Sequence, residues 1–331
     1  IMDYFMDVTI KRNVEQYINN LDENTLFIYS PTSIKKINFK NDNVKTINWH
    51  DISKKIENVD IAIKENKDLE KVVTFGGGST IDIGKYISYK LKHKYICIPS
   101  MLSTNSYATN KVALIENGKK TTLEAKLPDC IILDDNVLRM SETENLYGLA
   151  DVLSIYTALY DWKLASLDIG EKIDKKINDM AINLLNEVIY FIKQNSFEEI
   201  INNNNKLFEY IGIAGYITNL YGTGRPESGS EHIFAKELES AIDVPHGISV
   251  SLGIIIMSIL QGRKLDEIIN VIHKLKVIDK RCIYGINKDV IQRCIRNLKP
   301  RDERYTIVNK IFEDNSYKEK CLNDFFGLIG F

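Results

Sequence analysis

The segment VVTFGGGSTIDIGKYISYKL, residues 72–91, constrains the fold more than any other part of the chain. A β-branched apolar run enters three consecutive glycines, and a helical pattern follows directly. A strand that ends in glycines and feeds a helix aims unpaired backbone N–H groups and the positive end of the helix dipole at one point. The segment therefore predicts a βα unit with room for a phosphate at its turn; a plain βα turn is the alternative.

Short apolar runs of the same kind recur throughout the first 135 residues and alternate with helical stretches. This alternation predicts βαβ units and a parallel sheet. Between the last two runs, NGKK at 117–120 separates two alternating apolar segments and predicts a β-hairpin. The runs are at 24–30, 44–50, 71–75, 94–100 and 129–134.

The hydrophobic period changes from strand-like to helical after Ser141. The chain has 331 residues, enough for two domains at roughly 150 residues each. We therefore predict an α/β nucleotide-binding domain with a parallel sheet at 1–140 and an all-α domain at 141–331, the latter binding metal and substrate.

Composition argues against several classes of partner. With 43 basic and 45 acidic side chains the formal net charge is −2, which does not favour nucleic-acid binding. No apolar run approaches the roughly 20 residues that span a bilayer, and the first ten residues do not read as a signal peptide. The five cysteines form no CxxC pair, as a reducing compartment permits. We expect a cytoplasmic protein without membrane insertion.

Several positions around the glycines carry specific expectations. Ser79 is a candidate N-cap, Asp82 lies in the first helical turn, and Gly84 removes bulk where the helix meets the sheet or the ligand. The spacing is not G-x-G-x-x-G. After the first strand Lys35 and Lys36 follow instead of an acidic ribose anchor, so NADP(H) should be accepted as well as NAD(H). The alternative is that both lysines are ordinary surface charges.

Three residues of the helical half are candidate metal ligands. His232 and His246 each lie close to the start of a predicted helix, where the dipole disfavours the imidazolium. Asp151 lies on a largely apolar helix face and needs a partner there. One oxygen and two imidazoles with an open position are typical of a catalytic zinc site. The alternative is two unrelated histidines and an aspartate paired with a basic residue.

Together these stretches resemble the iron-dependent alcohol dehydrogenase, glycerol dehydrogenase and 3-dehydroquinate synthase superfamily. Within it they are most similar to the branch that reduces dihydroxyacetone phosphate to sn-glycerol 1-phosphate. The motifs occur in the family's order over most of the chain. They are GGGSTIDIGK (76–85), GLADVLSIYTALYDWKLA (148–165), RPESGSEHIF (225–234), HGISVSLG (246–253) and RDERYTIV (301–308).

The resemblance implies roles for individual residues. It implies that Asp151, His232 and His246 are catalytic and hold one zinc ion per subunit. It also implies a set of dinucleotide contacts: Gly77, Gly78, Ser79, Thr80, Ile81, Asp82, Ser100, Met101, Leu102, Ser103 and Thr109.

Two positions depart from the family pattern. Asn105 stands where the family usually has a substrate-facing aspartate, so it brings hydrogen bonds but no charge. Lys236 stands where the family tends to have a histidine, four residues after His232. Its ammonium would suit a substrate phosphate, and a solvated surface lysine is the alternative.

The resemblance implies zinc-dependent, reversible hydride transfer between NAD(P)H and dihydroxyacetone phosphate, which supplies the backbone of archaeal-type ether phospholipids. Zinc would polarise the substrate carbonyl in a cleft between the domains. The partner would be a small phosphate ester, and we expect a homo-oligomer. The alternatives are a glycerol or alcohol dehydrogenase, a dehydroquinate synthase-like enzyme, or a nucleotide-binding protein without catalysis.

Overall fold

The structure, a computed structural model, describes residues 8–10, 13–278 and 286–329. The chain divides into two compact units. The first contains the described residues up to Asn145 together with Asn204–Tyr216, and the second contains Leu146–Asn203 and the described residues from Ile217 onward.

The first unit is built on a parallel sheet whose six described strands have the order β1-β8-β5-β4-β2-β3. An antiparallel hairpin, β6–β7, stands apart from it. The predicted parallel sheet and the hairpin at NGKK are both confirmed. The short edge strand β1 was not predicted. The strands are β1 Val8–Ile10, β2 Thr25–Tyr29, β3 Lys45–Asn48, β4 Lys71–Gly76, β5 Lys94–Pro99, β6 Lys111–Glu116, β7 Lys119–Glu124 and β8 Cys130–Leu133.

Helices cover the sheet and make up the second unit, which confirms the predicted all-α second half. Up to Asn145 they are α1 Val14–Asn19, α2 Trp49–Ile52, α3 Ile56–Glu65, α4 Gly78–Leu91, α5 Asp135–Arg139 and α6 Glu142–Asn145. They continue as α7 Tyr147–Leu153, α8 Ile155–Ile169, α9 Lys175–Gln194, α10 Phe197–Ile201, α11 Asn204–Tyr221 and α12 Ser230–Ala241. The last are α13 His246–Leu260, α14 Asp266–Lys274, α15 Lys288–Arg296, α16 Ile307–Ile311 and α17 Asn315–Ile329.

The pair β4–α4 lies at the centre of the first unit. β4 is hydrogen-bonded to β2 and β5, and its residues from Val72 to Phe75 are fully buried. Gly84 of α4 faces this strand so closely that a Cβ there would lie 2.0 Å from Thr74 Cγ2. The expected contact between Gly84 and the sheet is confirmed, and it sets the direction in which the start of α4 points.

The second unit is organised around α13, which is buried along nearly its whole length. It packs against α7, α12 and α17. Two glycines permit the close approach: a Cβ on Gly247 would lie 2.3 Å from Tyr147 Cβ, and one on Gly253 would lie 2.6 Å from the Glu231 carbonyl oxygen. The helices that carry Asp151 and His232 are thereby held against the helix that begins at His246.

In the part of the chain that the structure describes, no helix is both long and apolar enough to cross a bilayer.

Candidate functional site

The three predicted metal ligands meet at one point of the second unit. Asp151 lies on α7, His232 in the first turn of α12, and His246 is the first residue of α13. Asp151 Oδ1 is 3.5 Å from His232 Nε2 and 3.3 Å from His246 Nε2. Each residue contributes one potential ligand atom, and these three atoms lie within 4.8 Å of one another. Residues 95 positions apart in the sequence thus form a compact donor set.

Each imidazole is bound at its other nitrogen by a carboxylate. His232 Nδ1 lies 2.8 Å from Glu231 Oε1, and His246 Nδ1 lies 2.5 Å from Glu239 Oε1. A neutral imidazole that donates Nδ1–H carries its lone pair on Nε2. Both lone pairs then face the Asp151 carboxylate, as in the carboxylate–histidine pairs that orient metal ligands.

This arrangement fits a divalent cation. Among the residues that the structure describes, none forms a hydrogen bond with the buried Asp151 Oδ1. Two imidazole lone pairs and a carboxylate oxygen repel one another unless positive charge lies between them. Burial raises the pKa of Asp151, but the two histidines outweigh it and hold that pKa well below its usual range. An oxygen and two nitrogen donors suit zinc and similar metals.

The same electrostatics act on the histidines. Burial by itself lowers the pKa of His246, yet the Asp151 and Glu239 carboxylates overcome it and raise that pKa to about 9. Burial by itself also lowers the pKa of His232, but the nearby Asp151 and Glu231 carboxylates outweigh it and raise that pKa. In the absence of a metal, protons would take up part of the negative potential of this site. Protons and metal ions therefore compete for the same lone pairs.

Behind His232 lies a buried network of polar side chains. Glu231, fully buried, accepts hydrogen bonds from the Gly229 N–H at 2.5 Å and from Thr157 Oγ1 at 2.6 Å. Asp161, also fully buried, accepts from the N–H groups of Ser230 at 2.7 Å and Ile307 at 2.8 Å. Burial, and then the nearby Glu231 charge, raise the pKa of Asp161 to about 6.

Two arginines brace the loop that leads into α12. Arg225 pairs with Glu171 through Nε at 2.9 Å and through Nη2 at 3.0 Å. Arg225 Nη2 also donates to the carbonyl oxygens of Asp161 and Tyr305. Arg304 donates to the Ser228 carbonyl oxygen. Residues from three of the motifs, at 148–165, 225–234 and 301–308, thus converge on the start of α12.

Sequence reasoning missed the supporting residues of this centre. Glu231 had a weak signal, since it directly precedes His232. Glu239 had none beyond lying midway between the two histidines, and glutamates at such helical positions are usually solvated. Thr157 and Asp161 are four residues apart on α8 and so share a helix face. The sequence shows that spacing, but it does not show that the two side chains contact Glu231 and Ser230 of α12.

At the glycine-rich turn the structure brings together residues from two neighbouring strands. Gly76 of β4 pairs with Pro99 of β5, so the segments that follow both strands lie at the same sheet edge. A Cβ on Gly77 would lie 3.2 Å from Met101 Sδ, and one on Gly78 would lie 2.7 Å from Thr104 Oγ1. The turn is therefore lined by backbone where larger side chains would not fit.

The predicted N-cap at Ser79 is wrong. α4 begins at Gly78 with Gly77 as its N-cap, so Ser79 lies inside the first turn. None of the described side chains caps this helix, which leaves its first N–H groups for another acceptor. Two buried hydroxyls nearby, Thr80 Oγ1 and Ser100 Oγ, likewise form no hydrogen bond within residues 8–10, 13–278 and 286–329.

Two of the predicted dinucleotide contacts have side chains engaged elsewhere in the first unit. Asp82 Oδ2 pairs with Lys54 Nζ at 3.1 Å and accepts from the Ala113 N–H at 3.2 Å. Thr109 Oγ1 donates to the Lys111 carbonyl oxygen at 3.3 Å. The Thr109 carbonyl oxygen accepts from Nζ of the fully buried Lys85 at 2.8 Å, which also donates to the Ser106 carbonyl oxygen at 2.6 Å. Burial lowers the pKa of Lys85 to about 8.

The remaining candidates are distributed between core and partly exposed positions. Ile81 and Leu102 are buried, whereas Met101, Ser103 and Asn105 are half-buried. Lys236 is also half-buried, on the same helix as His232. Their roles in binding stay predictions.

Lys36 is not the ordinary surface charge of the alternative interpretation. Its Nζ donates to the Ser100 carbonyl oxygen at 2.6 Å and to Ser141 Oγ at 2.7 Å. Burial lowers its pKa to about 8. Lys36 is thus turned into the protein, while Lys35 is exposed.

Comparison with known proteins identifies relatives. Residues 12–141 match the family model described as iron-containing alcohol dehydrogenase. The glycerol-1-phosphate dehydrogenase [NAD(P)+] of Metallosphaera sedula is 32% identical over 246 residues, covering 72% of this chain and 68% of the relative. The enzyme of the same name from Pyrococcus horikoshii is 28% identical over 337 residues, covering 94% of each chain.

Solved structures show the same fold. A probable glycerol dehydrogenase from Sinorhizobium meliloti 1021 superposes with a TM-score of 0.69 at 15% identity, covering 98% of this chain and 97% of that one. Glycerol dehydrogenase from Schizosaccharomyces pombe superposes with a TM-score of 0.61 at 14% identity, covering 96% of this chain and 91% of that one. At such identities the likeness concerns the fold alone.

Proposed function

The chain belongs to the iron-containing alcohol dehydrogenase family, and from that premise we propose that it reduces dihydroxyacetone phosphate to sn-glycerol 1-phosphate, reversibly, with NAD(P)H. Relatives that align with most of the chain carry the name of that activity. The structural observation that carries the proposal is the compact donor set of the buried Asp151 and the half-buried His232 and His246. The product would enter phospholipid synthesis.

We assign the metal to Asp151, His232 and His246, and propose that it is zinc, one ion per subunit. When bound, a divalent cation supplies a Lewis acid that polarises the substrate carbonyl. Asp151 contributes the negative charge of the site, and its burial keeps water from weakening that charge. Glu231 and Glu239 accept the Nδ1 protons, which orients the Nε2 lone pair of each imidazole towards Asp151.

We propose that the dinucleotide is held mainly by backbone. The start of α4, within the proposed set from Gly77 to Asp82, offers the helix dipole and the N–H groups that precede Ile81 to the pyrophosphate. The Ile81 N–H itself donates to the Gly77 carbonyl oxygen. The segment from Ser100 to Ser103 follows the neighbouring strand, and Thr109 completes the predicted set. Thr80 and Ser100 each bring a hydroxyl that has hydrogen-bonding capacity left for a ligand.

Two polar side chains are proposed to contact substrate. Lys236 lies four residues after His232, so the two side chains share a face of α12. A half-buried ammonium on that face suits the substrate phosphate. Asn105 would donate or accept a hydrogen bond in the position where the family usually places a carboxylate.

We further propose that the chain acts in the cytoplasm as a homo-oligomer on a small phosphate ester, without nucleic acid. The four described cysteines are unpaired, which suits a reducing compartment. Leu167, Ile169 and Tyr190 expose 75%, 59% and 62% of their surface, and burial against another subunit would remove that apolar area from water.

The decisive experiment is a product analysis. Purified protein loaded with zinc is given dihydroxyacetone phosphate with NADPH or NADH, and the glycerol phosphate formed is resolved on a chiral column. We expect oxidation of either cofactor and the sn-1 enantiomer alone. Turnover of glycerol without any reaction of the phosphorylated substrate would contradict the proposal.

A further inference from the structure

We propose that Glu231 is a positioning residue that fixes the metal-binding tautomer and orientation of His232, with Thr157 and Asp161 of α8 holding Glu231 in place. This inference rests on the proposed function only in supposing that a divalent cation binds at Asp151, His232 and His246. It assigns to the motifs at 148–165 and 225–234 a joint structural role at that site.

Every oxygen of the Glu231 carboxylate is used. Oε1 lies 2.5 Å from the Gly229 nitrogen and 2.8 Å from His232 Nδ1, and Oε2 lies 2.6 Å from Thr157 Oγ1. The side chain is 0% exposed. A carboxylate held by three donors in a dry site has one orientation, and His232 must meet it with an N–H.

The backbone beneath Glu231 is fixed as firmly as its side chain. Asp161 Oδ2 accepts from the Ser230 N–H at 2.7 Å, one residue before Glu231. Gly229 is packed so tightly that a Cβ there would lie 2.6 Å from Asp161 Oδ2 and 3.0 Å from Ala158 Cα. Thr157 and Asp161 share one face of α8, so one helix secures both the carboxylate and the peptide that carries it.

The second histidine has a looser counterpart. Glu239 accepts from His246 Nδ1 at 2.5 Å and from Ser249 Oγ at 2.8 Å, but its side chain is 19% exposed. A partly hydrated carboxylate orients an imidazole less strictly, because water competes for its oxygens. We therefore expect Glu231 to matter more than Glu239 for metal affinity.

The test measures metal binding rather than turnover. Metal-free protein is titrated with Co²⁺ against a chelator of known affinity, and the visible Co²⁺ absorption reports the ligand geometry. We expect Glu231→Gln to weaken Co²⁺ binding by about 10- to 100-fold and to change the absorption bands. Glu239→Gln should weaken it by about threefold to tenfold. Glu267→Gln, which removes an exposed carboxylate paired with Lys193 at 3.0 Å, is the matched control and should bind as the unchanged protein does.

Thr157 supplies a second, independent pair of variants if Glu231→Gln fails to fold. Thr157→Val removes the hydroxyl at constant shape and should weaken Co²⁺ binding, whereas Thr157→Ser keeps the hydroxyl and should restore it. Melting of the metal-free proteins separates positioning from mere stability, since a structural role would lower the melting temperature without changing the affinity of the folded fraction. Co²⁺ affinity within about threefold of the unchanged protein in a folded Glu231→Gln, or equal affinity in both Thr157 variants, would overturn the proposal. Tight Co²⁺ binding that weakens in these variants, without any reduction of dihydroxyacetone phosphate, would refute the proposed function alone.

Discussion

The turn after β4 and the centre around His232 and His246 present different groups to a ligand. The turn presents backbone N–H groups, whereas the centre presents side chains that other side chains hold in place. The turn is uncapped and crowded by Met101 and Thr104, so it has space only because Gly77 and Gly78 lack a Cβ. The histidine centre instead concentrates charge, with Asp151 and Glu231 buried next to the two imidazoles. The proposed binding at the turn depends on the absence of Cβ atoms at Gly77 and Gly78. The proposed binding at the histidine centre depends on carboxylates that hold the two imidazoles in place.

The two regions should therefore fail in different ways. A larger side chain at the turn should weaken dinucleotide binding while leaving the fold intact. A lost charge or hydrogen bond should harm the centre and, for the most buried groups, the stability of the second unit too. Single substitutions in each region can therefore separate the two kinds of failure.

His246→Ala should abolish stoichiometric metal binding and turnover together. It removes one of three donors and leaves Asp151 facing a single imidazole. A Lewis acid contributes several kcal/mol, so we expect a loss of about a thousandfold or more in kcat/KM. Metal content by mass spectrometry and the rate with dihydroxyacetone phosphate are measured on the same sample. Full turnover with bound zinc would show that His246 is not a ligand.

Asp161→Asn should change how stability depends on pH. Because the folded-state pKa of Asp161 is raised to about 6, this carboxyl stabilises the fold most below its unfolded pKa near 4, and that contribution is lost as pH rises through 6. The variant lacks the titration, so its deficit in unfolding free energy should be largest near pH 4 and shrink by about 3 kcal/mol towards pH 7. Urea unfolding of metal-free protein at several pH values measures this. A deficit that grows with pH would contradict the raised pKa.

Gly78→Ala should weaken dinucleotide binding by about tenfold, roughly 1.4 kcal/mol, without lowering the melting temperature. The new methyl group would lie 2.7 Å from Thr104 Oγ1, beside the N–H groups that we assign to the pyrophosphate. Gly327→Ala is the control, because a Cβ there meets nothing within 4 Å. Fluorescence titration with NADPH reports the affinity. Unchanged NADPH binding in Gly78→Ala would show that the pyrophosphate does not bind at this turn.

The smallest effect concerns the two lysines after β2. Lys35→Ala should lower the ratio of kcat/KM for NADPH to that for NADH by about twofold to threefold, as expected for one exposed charge. Lys36→Ala should lower stability and leave that ratio unchanged, since its ammonium is bound to Ser100 and Ser141. The ratio of kcat/KM values for the two cofactors distinguishes them. A larger change in Lys36→Ala would mean that this ammonium reaches the cofactor.

The fold could largely be predicted from the sequence because β2, β4, β5 and β8 are buried and read as apolar runs. The edge strand Val8–Ile10 was missed because three residues carry too little pattern. The cap at Ser79 was predicted wrongly because the sequence does not show at which of the three glycines the helix begins. In the structure α4 begins at Gly78.

The same contrast holds for the site. With five histidines in the chain, the ligand pair could be selected by context and by resemblance. The carboxylates that orient the pair could not, because a glutamate on an amphipathic helix has the same local pattern whether it faces water or an imidazole. Glu239 is distinguished only by its distance to His246, which depends on how α12 packs against α13. The hydrophobic periodicity of the sequence does not show such contacts between helices.

The most direct test of the account is a zinc titration of the metal-free protein, followed by the rate of NADPH oxidation with dihydroxyacetone phosphate. We predict no turnover without metal, and a rate that rises linearly with added zinc and stops at one ion per chain. Full turnover of the metal-free protein would contradict the assignment of Asp151, His232 and His246 as the centre of the reaction.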